Sequence, residues 1–304
     1  MGLADTTVII PTYNGIAVLE TCLRSLATQK YQSFSVLIID NGSTDGTTSM
    51  IEKVYPSASV LRFESNLGFA KAVNKGIRSV VTPFVLLLNN DTVVESDFIG
   101  ILVCSLRNSP KNVAAINPMV LNIDGSAVEN CGFFIDKKWR AHHIAAGVRP
   151  NEVKNEPAEI FGVNAGATIF KLDFLLDVGC FDDDFFAYYE DVDLSIRGKA
   201  KGWKYFSEPT ARVFHHHSHT GNSLPGLKSF YLRRNYLWYV IKNASILLAT
   251  KLILSLVVKD VGKTFHYLKS LDNRNNAKII LNAYLATVIA LGTLMKKRIS
   301  YKVR

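Results

Sequence analysis

The sequence predicts an α/β protein: a doubly wound, mostly parallel sheet with helices on both faces, followed by apolar and amphipathic helices in a basic tail. Three observations predict it. From Thr7 onward, short apolar runs that end on polar clusters alternate with stretches of helical spacing, the pattern of βα units. Val85 to Leu88 is apolar, bounded by Pro83 and by Asn89-Asn90-Asp91-Thr92, too short for a helix and read as a buried parallel strand. Charge is also divided: Lys228 to Arg304 holds 15 Lys/Arg against Asp260 and Asp272, or +13, which leaves residues 1–227 at −4 of the net +9.

A chain of 304 residues can bury a sizeable core. Cys22, Cys104, Cys131 and Cys180 lie far apart without a CxxC pair, so neither a zinc knuckle nor a disulfide framework is expected and a reducing compartment fits. The acidic balance of residues 1–227 disfavours nucleic acid as a partner. A basic, apolar tail points instead to an anionic membrane surface. The start lacks a basic and then apolar leader pattern. Met1 to Thr6 fits the MGxxx[ST] myristoylation pattern, although a strand beginning at Thr6 accounts for the same residues.

Thr7 to Ile10 forms the first strand, closed by Pro11-Thr12-Tyr13-Asn14-Gly15. Apolar residues at 16, 19, 23 and 26 then give a helix that leaves Glu20 and Arg24 outward. Val36 to Asp40 is a second strand, followed by a helix to about Val54; Val60 to Phe63 and Leu67 to Val80 repeat the unit before the strand 84–88. Asn41 to Glu52 matches a calcium-loop template in part, but it follows a strand rather than a helix and reads as a strand-to-helix turn. Phe98 to Leu106 is a helix and Val113 to Ile116 a strand. Asn122 to Pro157, rich in Gly and Pro, is expected to be irregular and mobile, with Trp139, Arg140, His142 and His143 available to an acceptor or to the surface.

Ligands of open α/β sheets sit beyond the carboxyl ends of strands. Asp91 stands at such an end, as a ligand or as a turn former. Small residues in Phe161 to Phe170 permit close approach of backbone to a ligand or another strand. In Tyr188 to Asp193, aromatic rings beside Glu190, Asp191 and Asp193 would desolvate the carboxylates and raise at least one pKa, giving a proton acceptor. Asp193 and Arg197, at i and i+4, form a structural pair. His215, His216, His217 and His219 follow a strand, and metal binding by one of them is the leading reading. The apolar runs 244–258 and 279–295 fall short of the roughly 20 residues of a confident span, and Lys278 with Lys296-Lys297-Arg298 suits helices in the membrane interface. Packing on the rest of the chain or on a second subunit is the alternative.

Taken in order, Pro11-Thr12-Tyr13-Asn14, Asp40 to Gly46, Asn66-Leu67-Gly68-Phe69-Ala70 with Asn74, Asn89-Asn90-Asp91, and Tyr189-Glu190-Asp191-Val192-Asp193 with Arg197 resemble the family-two inverting glycosyltransferases of GT-A fold. Within that family the chain is similar to bacterial rhamnosyltransferases of cell-surface polysaccharide synthesis. The resemblance covers roughly residues 5–235. It implies a catalytic domain over 1–227, with a nucleotide-sugar half to about 117 and an acceptor half beyond, and a membrane-associated tail over 228–304.

The resemblance further implies that Thr12, Tyr13, Asn14 and Asp40 hold the base and ribose of a dTDP- or UDP-sugar, with Lys71, Asn74, Asn90 and Arg234 toward ribose or diphosphate. Asn89 replaces the first carboxylate of the family's DxD motif, so Mn²⁺ or Mg²⁺ would rest on Asp91 and His215. Asp191 is the implied base and Glu190 orients the acceptor, a glycan or a polyprenyl-diphosphate-linked saccharide. The enzyme would work in the cytoplasm at the inner face of the membrane, with an oligomer open. A non-catalytic nucleotide-sugar scaffold is the rival from another class. A nucleotidyltransferase would need a Gly-rich loop where this chain has Pro-Thr-Tyr-Asn.

Overall fold

The computed structural model describes residues 4–216, 225–268 and 274–303. The features expected at Gly2, His217 and His219 lie outside the described residues. Two compact units are present: Met1–Ile135 with Ala141–Phe186 and Glu190–Ser218, and Asp136–Arg140 with Ala187–Tyr189 and His219–Arg304.

In the first unit the strands are β1 (Thr6–Thr12), β2 (Phe34–Asp40), β3 (Ser59–Arg62), β4 (Phe84–Leu87), β5 (Thr92–Val94), β6 (Val113–Asn122), β7 (Val128–Asn130), β8 (Phe133–Ile135), β9 (Ala141–His143), β10 (Ala158–Ile160), β11 (Ile169–Lys171) and β12 (Lys204–His215). Its helices are α1 (Ile16–Ala27), α2 (Thr47–Val54), α3 (Phe69–Ile77), α4 (Phe98–Arg107), α5 (Leu172–Val178) and α6 (Glu190–Ala200). The main sheet runs β10-β12-β6-β11-β4-β1-β2-β3, with β5 on β12 and β7 on β6. The pairs β1–β2, β1–β4, β2–β3 and β6–β12 are parallel, whereas β11 lies antiparallel between β4 and β6. The sheet is thus mixed, and parallel chiefly in its first half.

Because β2 and β4 flank β1, the chain reverses direction across the sheet at β1, and its carboxyl ends open a crevice there. Register sets those ends: Thr12, the last residue of β1, pairs with Asp40, the last of β2, and β4 stops at Leu87 opposite Ile9, which leaves Asn89-Asn90-Asp91 to turn beside the end of β1. Val85, Leu86 and Leu87 are wholly buried, as a strand covered on both faces requires.

Strand β6 runs to Asn122, well past the four residues expected from the apolar run. Pro118 lacks an N–H for the ladder, and the partner β12 shifts register between Glu208 and Arg212, opposite it. Asn117 is buried but saturated: its Nδ2 donates to Pro118 O and Asn130 Oδ1, and its Oδ1 accepts from Asn164 N and Thr168 Oγ1. The segment expected to be irregular instead carries β7, the β8–β9 hairpin, a 3₁₀ turn at Pro150–Glu152, and β10 at its end. Val128, Cys131, Met119 and Leu121 make a small apolar cluster beneath it. Three-residue strands are too short to leave a periodic signal.

The loop that resembles a calcium template is a turn. Gly42 and Gly46 have φ of 89° and 87°, and Asp45 accepts from Thr47 N and Ile16 N.

The second unit contains α7 (Pro225–Asn243), α8 (Ile246–Leu268) and α9 (Arg274–Val303). Helix α8 and helix α9 extend past the expected apolar runs. Arg274–Arg298 is long and apolar enough to cross a membrane, with mean hydropathy 1.6 and 22% of the apolar window buried. Asp260 is buried, accepting from Arg233 and from Tyr284 Oη at 2.8 Å. Leu254, Val258, Val261 and Phe265 of α8, and Leu285, Val288 and Ile289 of α9, are exposed.

Candidate functional site

The crevice is built from three turns. After β1, Asn14 takes a φ of 48°; its N–H donates to Ser43 Oγ at 3.0 Å and its Oδ1 accepts from Thr44 N at 2.8 Å. The first two loops are thereby locked together. Asn90 Nδ2 donates to Thr12 Oγ1 at 2.9 Å, joining the third. A Cβ on Gly15 would stand 2.3 Å from Asn90 Nδ2, so a side chain there would displace the Asn90 amide from Thr12. Tyr13 is 37% exposed and Thr12 buried.

Asp40 is wholly buried. One oxygen accepts from Ser43 N at 2.9 Å and the other from Thr48 Oγ1 at 2.9 Å, with Arg62 Nε at 3.6 Å. Expected to hold the base and ribose directly, Asp40 is corrected by its enclosure: it holds the loop's shape, while a cleft of about 470 Å³ lined by Gly42, Ser43, Thr44, Arg62, Phe63 and Glu64 opens alongside.

Asn41 fixes the next turn, donating to Asn66 Oδ1 and Gly68 O and accepting from Leu67 N. Gly68, at φ 81°, lies so close to Phe186 that a Cβ would meet its ring at 2.6 Å. Lys71 is exposed on α3. Asn74, expected toward the ribose or diphosphate, is corrected by the structure. It is wholly buried, its Nδ2 donates to Phe181 O and Asp183 Oδ1, and its Oδ1 accepts from Phe181 N. A saturated, enclosed amide has nothing left for a ligand.

Beyond β4, the pairing of Thr92 with His215 brings β5 against the end of β12. His215 Nε2 stands 3.2 Å from Asp91 Oδ1, and His215 Nδ1 stands 2.8 Å from Glu129 Oε2. Burial would lower the imidazole pKa, but the hydrogen bonds and charges of Asp91 and Glu129 prevail and raise it to about 10. Two donors of one octahedral ion at about 2.1–2.2 Å each lie about 3 Å apart, so the Asp91–His215 spacing fits a shared divalent cation. His216 is placed by its backbone, which donates to Asp91 O at 2.8 Å.

Residue Asn89 donates its N–H to Gly166 O at 2.7 Å, and the small residues of the 161–170 segment serve this close approach: a Cβ on Gly166 would meet Asn89 Nδ2 at 3.0 Å. The neighbouring Ala165 amide donates to Asp191. Consecutive residues of one loop therefore tie the Asp91 strand end to the Asp191 carboxylate.

Glu190 and Asp191 open α6, whose free N–H groups favour negative charge. Burial first, and the Asp191 charge second, push Glu190 up to about 8. Burial also raises Asp191, opposed by the amides of Val192 and Ala165 and by the charge of His143. Glu190 Oε2 is buried without a hydrogen-bond partner. Of the pair, Asp191 is the better-supported anion, and Glu190 the protonated neighbour. Behind them, buried Arg197 donates to Asp193 at 2.8 Å and to the carbonyls of Val178 and Cys180 at 2.7 Å.

Arg234 belongs to the second unit, where Trp238, Tyr231 and Phe230 surround its guanidinium at 4.1, 4.7 and 5.6 Å. Asn235 donates to Ala187 O and Tyr188 O, both 2.7 Å, and so braces two residues of positive φ, Tyr188 and Tyr189, that precede α6. Glu129 is the site residue that the sequence concealed: one acid in a three-residue strand carries no pattern.

The crevice beyond the carboxyl ends of β1 and β4, with an acid–imidazole pair at the strand end, is the kind of position at which open α/β sheets hold ligands. The family model described as Glycosyl transferase family 2 matches residues 7–159, and the chain belongs to that family. It is 27% identical over 235 residues to N-acetylglucosaminyl-diphospho-decaprenol L-rhamnosyltransferase of Mycobacterium tuberculosis, covering 70% of this chain and 76% of that protein. It is also 27% identical over 212 residues to poly-beta-1,6-N-acetyl-D-glucosamine synthase of Staphylococcus aureus, covering 69% of this chain and 49% of that one, about half its length. Similar solved structures include mannosyltransferase PcManGT of Pyrobaculum calidifontis in complex with GDP-Man and Mn²⁺, with TM-score 0.58, 16% identity, and coverage of 100% of this chain and 87% of that chain. GalNAc-T7 with UDP, GalNAc and Mn²⁺ gives TM-score 0.62 at 18% identity, over 79% of this chain and 48% of the other.

Proposed function

We propose that this glycosyltransferase moves L-rhamnose from dTDP-rhamnose, with inversion, to a lipid-linked or polysaccharide acceptor. The observation that carries the site is the loop at 165–166, which joins the Asn89-Asn90-Asp91 strand end to Asp191. The similarity to a rhamnosyltransferase acting on a decaprenol diphosphate supports the sugar and the acceptor class. Residues 1–227 form the catalytic domain, and 228–304 attach it to the inner face of an anionic membrane.

In this reading Thr12, Tyr13 and Asn14 contact the nucleoside, Asp40 maintains the base-side loop, and Asn90 and Lys71 approach the diphosphate. Asp91 and His215 hold Mn²⁺ or Mg²⁺, with the imidazole favouring Mn²⁺. When bound, the ion offsets charge on the leaving diphosphate. Asp191 removes the acceptor hydroxyl proton as that oxygen attacks the anomeric carbon in line. Glu190, protonated near neutrality, donates a hydrogen bond that orients the acceptor.

A UDP-hexose donor is the second reading, favoured by the similarity to a GlcNAc polymer synthase. Calorimetric titration of dTDP, UDP, dTDP-rhamnose and UDP-GlcNAc in Mn²⁺, followed by transfer to a GlcNAc-diphosphate-polyprenol, separates the two. Tighter dTDP binding and rhamnosyl transfer are expected. Preference for UDP with transfer only from UDP-GlcNAc overturns the rhamnose reading, and binding without any transfer revives a scaffold.

A further inference from the structure

We infer that Glu129 is a positioning residue of the cation site, fixing the His215 ring so that Nε2 is presented beside Asp91. The inference rests on the proposed role of Asp91 and His215 as cation ligands. Three pairings bring the groups together. Strand β7 is held on β6 by Val120 opposite Asn130 and Leu121 opposite Val128. Strand β6 pairs in parallel with β12 through Asn122 and His215. On the other side of β12, His215 faces Thr92, next to Asp91. Neither acid is a sequence neighbour of the imidazole, yet both reach it.

The two ring nitrogens are thereby distinguished. With Glu129 Oε2 at 2.8 Å accepting from Nδ1–H, the remaining lone pair of a neutral ring lies on Nε2, the nitrogen 3.2 Å from Asp91. A carboxylate behind a ligating imidazole fixes its tautomer and orientation and raises its basicity, and losing such a partner typically costs about 10–100-fold in metal affinity. Charge agrees with this assignment. Two carboxylates about one imidazole, with side-chain exposures of only 9%, 14% and 18% for Asp91, Glu129 and His215, leave an excess of negative charge. Asp91 faces Nε2 and Glu129 faces Nδ1, so a divalent cation held between Asp91 and Nε2 leaves the Glu129 bond in place.

The test uses the full chain as wild type, Glu129→Ala, Glu129→Gln and His215→Ala. Mn²⁺ with UDP or dTDP is titrated by electron paramagnetic resonance, and the His215 ring nitrogens are followed by ¹⁵N NMR. Wild type is expected to bind Mn²⁺, with Glu129→Ala raising the dissociation constant about 10–100-fold and Glu129→Gln, which keeps a neutral acceptor for Nδ1–H, falling between. Metal-free nucleotide binding should stay unchanged in both variants, and the Nδ1–H resonance should lose its hydrogen-bonded shift in Glu129→Ala. Should that variant fail to fold, the Glu129→Gln titration decides alone. Wild-type affinity in both Glu129 variants, with His215→Ala impaired, overturns the positioning role and leaves the cation site standing. A wild type that matches His215→Ala overturns the cation site and this inference with it.

Discussion

Replacing Asp191 by Asn keeps the shape of the residue and removes its capacity to take a proton. Position-matched general-base help is worth about 10²–10⁴ in rate, or about 3–5 kcal/mol of barrier, so turnover at saturating donor and acceptor should fall by that factor. Donor affinity should hold, because the nucleoside loops are built on Thr12, Asn14, Ser43 and Asn90 and not on Asp191. The neighbouring acid supplies a second reading of the same variant. Glu190 is pushed from 4.5 to about 8 by burial first and by the Asp191 charge second, so removing that charge relieves part of the rise and leaves the burial component. In wild type the pair should give a bell-shaped pH profile whose limbs belong to the pair as a unit. Activity rises as Asp191 ionises, above the ordinary carboxylate range, and falls as Glu190 loses its proton near 8. Asp191→Asn should abolish the ascending limb. Stability falls along with activity on the alkaline side: with its folded pKa raised, Glu190 contributes stability that is full below 4.5 and lost as pH rises through about 8, a ceiling of about 5 kcal/mol. Initial rates from pH 5 to 10, donor calorimetry and melting curves read all three quantities. Comparable turnover by wild type and Asp191→Asn at saturating substrates would remove Asp191 from the role of base.

Arg197→Ala should destabilise the fold by about 3–5 kcal/mol, because it strands the fully buried Asp193 carboxylate; urea unfolding checks it, and a loss below 1 kcal/mol contradicts the account. Deleting residues 270–304 should release the protein from anionic liposomes, and raised salt should weaken the electrostatic share of wild-type binding. Continued flotation of the shortened chain with lipid contradicts the membrane role of the tail.

Apolar runs ending on polar clusters placed β1, β2 and β4 and their loops correctly, since a strand covered on both faces must be apolar and its end must turn. Spacing likewise gave the Asp193–Arg197 pair, because residues at i and i+4 meet on any helix. Where contacts are made by distant partners, the signal failed. The antiparallel β11, the three-residue strands between 128 and 160, and the bulge opposite Pro118 arise from pairing, which no local window contains. Asn74 illustrates the same limit: its type fits a polar site, and only the packing of α3 against Phe181 and Asp183 shows its amide to be enclosed.

The order of residues along this chain thus determined which elements form and which side chains close the sheet's open ends, because both follow from near-neighbour spacing and burial. Tertiary structure alone decided that Glu129 lies behind His215, that Asp91 stands before it, and that Ala165 and Gly166 tie Asp191 to Asn89. Those are meetings across many tens of residues, fixed by strand register, and register is a property of the assembled sheet.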